Sequence, residues 1–192
     1  MENIARLDLS PQTSDSAGEQ ARQVLDTAQK QVGFIPNMYA NMVNSPGVLH
    51  TYLVGYKHFR EESGLTPAEQ EVVFLAISRE NECDYCMAAH SMIADKVSKV
   101  PADAIESIRT DTVIADAKLQ ALAEFTRIMF RTRGRPTPDD VSAFRAAGFS
   151  DRHVLEIILA LAVKTLSNYS NHVFHTEVDQ RFSAYAWQPQ PA

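Results

Sequence analysis

Hydroxyl–proline pairs punctuate this chain and cut it into helices. Ser45-Pro46, Thr66-Pro67 and Thr137-Pro138 each stand just ahead of a run whose residue types favour a helix. Proline suits the first helical position, where an N–H has no partner to lose, and a preceding Ser or Thr can cap the exposed amides. Glu69, three residues after Thr66, completes a capping-box pattern. Only seven glycines occur in 192 residues, too few for many tight hairpins.

Other segments follow the same grammar. "SAGEQARQVLDTAQKQVG" closes on Gly33, suited to the left-handed position past a helix end. "GVLHTYLVGYKHFREES" stops near Gly64, and a helix bearing both cysteines runs to about Val97. Pro101 starts a short helix to about Arg109. "DAKLQALAEFTRIMFRTRG" puts Leu119, Leu122, Phe125 and Met129 on one face. Ser150 heads "DRHVLEIILALAVKTL", and a last helix is expected over roughly residues 168–186, before a loose Pro-rich tail at 187–192. No segment reads as a strand. The expected fold class is all-α, one compact domain over residues 1–192.

Charge and hydropathy exclude several roles. Net charge is −6 with no basic tract, which argues against nucleic acid as a partner. The most apolar stretches, "VVFLAI" and "IILALAV", are far too short to span a bilayer. The first residues, MENIARLDLSPQT, lack a basic and then apolar leader, so a cytoplasmic, membrane-free protein is expected. In that compartment a close cysteine pair suggests catalysis or metal binding more than a structural staple.

Shifted by 85 residues, the chain partly matches itself. "FREESGLTPAEQEVVFLAISRENECDYCMAAH" falls on "FRAAGFSDRHVLEIILALAVKTLSNYSNHVFH". Arg60 meets Arg145, Glu71 meets Glu156 and His90 meets His175, while Cys83 and Cys86 meet Asn168 and Asn171. The frame suggests a duplicated helical unit, with pseudo-repeats at about 59–98 and 144–183, packed as two similar hairpins about a pseudo-twofold. The first copy keeps sulfur chemistry; the second is degenerate, structural or pocket-lining.

The chemistry concentrates in "ECDYCMAAH". Cys83, Cys86 and His90 stand at i, i+3 and i+7, one stripe of a helix. A position near the helix start favours a thiolate, whereas Glu82 and Asp84 oppose it. His90 can take the Cys86 proton, and Glu71 on the preceding helix is a candidate to orient the imidazole. Three alternatives stand beside this: two small core residues, a zinc module using Cys83, Cys86 and His90, and a non-catalytic redox-sensing or structural helical oligomer. Met38, Tyr39, Met42 and Phe34 either line an apolar entry or pack in the core. His50, His58 and His153 form no constellation.

"GFIPNMYANMVNSP" followed by "LTPAEQEVVFLAISRENECDYCMAAH" resembles the alkylhydroperoxidase D-like (AhpD-like) members of the carboxymuconolactone decarboxylase superfamily, over about residues 20–183. Glu71, Cys83, Cys86 and His90 match that family's Glu, Cys-x-x-Cys and His spacing. The resemblance implies an all-helical fold built from a duplicated unit, in a trimer or hexamer. It implies a peroxidase in which Cys86 attacks a small hydroperoxide, Cys83 resolves the sulfenic acid to a redox-active Cys83–Cys86 disulfide, and Glu71 and His90 relay the proton. An external dithiol, or a lipoylated or thioredoxin-like protein, would restore the pair, with no other cofactor and no metal. Tyr85 stands where the family pattern has a histidine between the cysteines; it is a possible auxiliary residue but a poor base.

Overall fold

The computed structural model of the protein describes residues 4–188. Nine α-helices follow one another and no strand occurs among the described residues: α1 (Glu19–Val32), α2 (Asn37–Met42), α3 (Pro46–Glu62), α4 (Pro67–Glu80), α5 (Asp84–Lys96), α6 (Ala102–Thr110), α7 (Ala117–Arg131), α8 (Pro138–Ala146) and α9 (Asp151–Phe174). A 3₁₀ helix, Gln180–Tyr185, follows. The all-α expectation is met, and no helix among the described residues is long and apolar enough to cross a membrane.

The proline signals fall where the sequence placed them. Thr66 accepts from the Glu69 N–H and Glu69 answers at the Thr66 N–H, a complete capping box at the head of α4. Thr137 and Asp140 repeat that arrangement at α8. Ser45 occupies the N-cap of α3, but its side chain makes no capping bond. Gly33 closes α1 at φ 82, donating its N–H to the Gln29 carbonyl at 2.9 Å.

α4 is the hub of the molecule. Every residue from Glu69 to Ser78 is buried, and α5, α6, α7 and α9 all pack against it. Its buried polar side chains Glu69, Gln70, Glu71 and Ser78 each have a hydrogen-bond partner. α9 runs against α3, α2, α4 and α5, so it reaches the site from the opposite side of the core.

Three expectations need correction. Cys83 is not inside a helix but is the N-cap of α5. Glu82 takes the left-handed conformation at φ 53, and Cys83 donates its N–H back to the Ser78 carbonyl at 3.0 Å, which ends α4 and turns the chain into α5. The second correction concerns the helix expected at 168–186. α9 continues unbroken to Phe174 because Leu166 and Ser167 hold the positions of Asn81 and Glu82, and neither leaves the helical conformation. The hairpin of the first pseudo-repeat therefore has a single long helix as its counterpart. Third, the tail is not loose at its start: the Trp187 indole donates to the Arg109 carbonyl at 3.0 Å. Residues 189–192 lie outside the described residues.

Candidate active site

The α4–α5 turn sets the sulfur pair. Cys83 caps α5 and Cys86 follows in its first turn, where unpaired amides and the helix dipole favour negative charge. Both are free thiols and both are buried. His90 comes one turn later on the same helix, also buried, and α4 brings Glu71 alongside. The His90 Nδ1 lies 2.9 Å from the Glu71 Oε2. Arg60, from α3, donates to the other Glu71 oxygen, and also to the Gln70 Oε1 at 3.1 Å and the Tyr56 hydroxyl at 2.7 Å.

This geometry fixes the protonation pattern. Burial pushes the Glu71 carboxyl up, but His90 and the Arg60 guanidinium outweigh it and hold the group below the usual carboxylate range. Burial and the Lys164 charge push His90 down, against the pull of Glu71. A neutral imidazole that donates Nδ1–H to the Glu71 carboxylate presents Nε2 as a base. Burial likewise raises the Cys86 thiol, but the Cys83 thiol and the charges of Lys164 and His90 overcome it and bring Cys86 well below an ordinary cysteine. Cys83 moves the other way, raised by burial and by its bond to Cys86. The two shifts favour ionisation at Cys86 and the proton at Cys83.

α9 supplies the opposite wall. The Asn171 Nδ2 donates to the Cys86 Sγ at 3.3 Å and lies 3.7 Å from the Cys83 Sγ. The Ser167 Oγ is 4.0 Å from the Cys86 Sγ. Asn168 turns instead to Asn81, accepting its side-chain N–H at 2.8 Å. The other matched pair of the second copy is not assembled: His175 ends α9 and meets the Ile4 carbonyl at 3.1 Å, while Glu156 meets Arg152.

A cavity of about 110 Å³ opens onto Cys86 and His90. Its walls include Met38, Tyr39, Tyr52, Tyr85 and Phe182; Cys83 lies outside the lining. Of the proposed entry residues, Met38 and Tyr39 line the cavity, Met42 is core, and Phe34 packs edge-on against Phe182. Tyr85 presents its ring to the cavity but gives its hydroxyl to Asp179, so it takes no part in the Glu71–His90 bond. Asp179 in turn accepts from the Asn37 N–H at 3.2 Å, which ties the C-terminal segment over one side of the site. His58 pairs with Glu62, and His153 accepts from the Ser150 N–H; neither joins the cluster, nor does His50. No three His, Cys, Asp or Glu side chains among the described residues stand as a metal-ligand set, so the Cys83, Cys86 and His90 zinc arrangement is not formed.

Sequence reasoning missed Lys164, Arg60 and Ser167. A lysine inside the apolar run "IILALAVKTL" was the available signal for the first. Arg60 was visible only as a matched position between the repeats.

An all-helical fold with a buried thiol pair beside a Glu–His couple can be set against known proteins. Residues 49–127 match the model of the carboxymuconolactone decarboxylase family, as the sequence resemblance led us to expect. The fold is shared with the alkylhydroperoxidase AhpD core of an uncharacterized peroxidase-related protein from Ralstonia eutropha JMP134, at a TM-score of 0.79 and 22% identity, covering 95% of this chain and 96% of that one. A peroxidase-related protein from Silicibacter sp. TM1040 aligns with a TM-score of 0.74 and 21% identity over 94% and 95% of the two chains. A cysteine-to-alanine variant of the debrominase Bmp8, in complex with 2,3,4-tribromopyrrole, aligns with a TM-score of 0.72 and 15% identity over 95% and 97%. No curated protein matches the chain in sequence.

Proposed function

We propose that the protein is a thiol-dependent peroxidase, reducing a small hydroperoxide through Cys86 and Cys83. The observation that carries this reading is the asymmetry of the pair: Cys86 lines the cavity with His90, Cys83 does not, and only Cys86 is pulled toward the thiolate. The Cys86 thiolate attacks the terminal peroxide oxygen, the O–O bond breaks, and the departing alkoxide takes a proton and leaves as the alcohol. His90, oriented by Glu71, supplies that proton after accepting it from the pair. Cys86 is then a sulfenic acid; the Cys83 sulfur attacks it, the S–O bond breaks, the departing hydroxide takes a proton from solvent and leaves as water, and a disulfide remains. A dithiol, free or carried on a lipoylated or thioredoxin-like protein, reduces the disulfide and is itself oxidised.

The aromatic walls of the cavity favour a second substrate for the same dithiol. A brominated aromatic ring could exchange its bromine for hydrogen, releasing bromide as the two thiols become the disulfide. One experiment separates the readings: peroxide consumption and bromide release measured side by side with several dithiols, on parent, Cys86→Ser and Cys83→Ser proteins. Peroxidase activity is expected to vanish in Cys86→Ser, while Cys83→Ser accumulates a sulfenic acid after one turnover. Unchanged peroxide consumption by Cys86→Ser sinks the proposal. No turnover of either substrate with any dithiol points instead to a redox sensor.

A further inference from the structure

Lys164 is fully enclosed, at 0 % exposure, in the middle of α9. Its Nζ has no hydrogen-bond partner among the described residues and stands 5.6 Å from the centre of the Phe74 ring. That ring packs on His90, with centroids 4.9 Å apart. Enclosing an ammonium without an acceptor is strongly unfavourable unless an anion shares the space.

The helix itself points to that anion. Lys164, Ser167 and Asn171 recur at three and four residues, so they share one face of α9, and Ser167 and Asn171 both meet the Cys86 sulfur. Glu71 is already engaged at both oxygens, by His90 and by Arg60. We propose that Lys164 is a positioning residue for Cys86: its buried ammonium, on the α9 face that meets the sulfur pair, is the standing counter-charge of the Cys86 thiolate.

The proposal deepens the reading above, since it rests on Cys86 as the attacking sulfur. The titratable groups facing Cys86 are Cys83, Tyr85 and His90 from α5, Tyr39 from α2, Tyr52 and Tyr56 from α3, and Lys164 from α9. Burial raises the four phenols, and burial together with Lys164 lowers His90. Lys164 brings its side chain from the α9 face whose Ser167 and Asn171 meet the sulfur. Its charge stabilises the reduced, anionic pair over the uncharged disulfide, which makes the disulfide more oxidising.

The test replaces the charge and reads the sulfur directly. Ultraviolet thiolate absorbance is titrated against pH in parent, Lys164→Met and Lys164→Arg proteins, with helix content followed by circular dichroism. The Lys164→Met midpoint is expected to rise by about one pH unit or more, a tenfold loss of thiolate below the midpoint, while Lys164→Arg keeps it low. The equilibrium with glutathione should shift at least about tenfold toward the disulfide in Lys164→Met. A midpoint unmoved from the parent's overturns the proposal. Should Lys164→Met fail to fold, Cys86→Ser carries the test: it strands the ammonium, so its thermal stability at mildly alkaline pH is expected to fall below the parent's. A Cys86→Ser protein as stable as the parent there overturns the proposal as well. Neither measurement reads turnover, so an anionic Cys86 inert toward peroxide sinks the peroxidase reading and leaves Lys164 in place.

Discussion

Glu71 shows what a buried carboxylate does here beyond packing. It is fully buried, accepts from Arg60 and pairs with His90, so it fixes the imidazole tautomer and favours its protonated form. Glu71→Gln keeps an acceptor but removes the charge. The His90 titration, followed by its ring-proton NMR signals, is then expected to move to lower pH, because burial and Lys164 push it down against the Cys86 charge alone. Turnover should fall by roughly 10²-fold as proton transfer loses its orientation. A His90 midpoint that rises in Glu71→Gln would falsify this role. Cys83, Cys86 and His90 were legible in the sequence because they lie on the cap and first two turns of α5, and Glu71 because it lies on the helix just before. Lys164, Ser167 and Arg60 were not, because they arrive from α9 and α3, and a one-dimensional pattern carries no record of which distant helix faces the sulfurs.

At the level of elements, helix starts were readable and one helix end was not. Capping boxes at α4 and α8 are local chemistry, written in four consecutive residues. The turn between α4 and α5 depends on Glu82 adopting φ 53, which its residue type does not announce. Assigning the same break to the second half extended a sequence frame onto α9, where nothing leaves the helical conformation. α9 instead approaches α3 closely at Gly55, where a Cβ would meet the Val163 Cγ2 at 2.8 Å and the Leu159 Cδ1 at 3.6 Å. Leu159 can rotate away, but β-branched Val163 is stiff. Gly55→Ala gains about 1 kcal/mol of helix propensity and costs roughly 1–3 kcal/mol of overpacking. A net loss of about 1 kcal/mol is therefore expected in urea unfolding. Because Val163 precedes Lys164, the displacement would also reach the sulfur site. Adding Val163→Ala should make the double variant more stable than the two separate losses sum to. A Gly55→Ala protein as stable as the parent would show that α9 gives way freely.

The whole molecule has a stability profile written by its buried acids. Glu71 is held below the usual carboxylate range, so its contribution is present above the unfolded value and is lost as pH falls through the folded one. Tyr39, Tyr52, Tyr56 and Tyr85 are all raised, chiefly by burial. Their contribution is complete below the unfolded tyrosine value of about 10 and is lost as pH rises toward the folded values, because the unfolded chain ionises first. Cys83 is raised and Cys86 lowered, so the pair's two shifts oppose each other between neutrality and the tyrosine range. Thermal stability is thus expected to hold across the middle range and to fall steeply above about pH 10. Four phenols ionising only in the unfolded chain give a slope of up to about 5 kcal/mol per pH unit. Tyr52→Phe removes one of the four and should reduce that alkaline slope by about a quarter, whatever it costs at neutral pH. Melting curves of parent and Tyr52→Phe proteins across this range provide the measurement. An alkaline limb of unchanged steepness would mean that the Tyr52 phenol ionises as readily in the folded protein as in the unfolded chain, which its enclosure between Tyr39 and Tyr56 argues against.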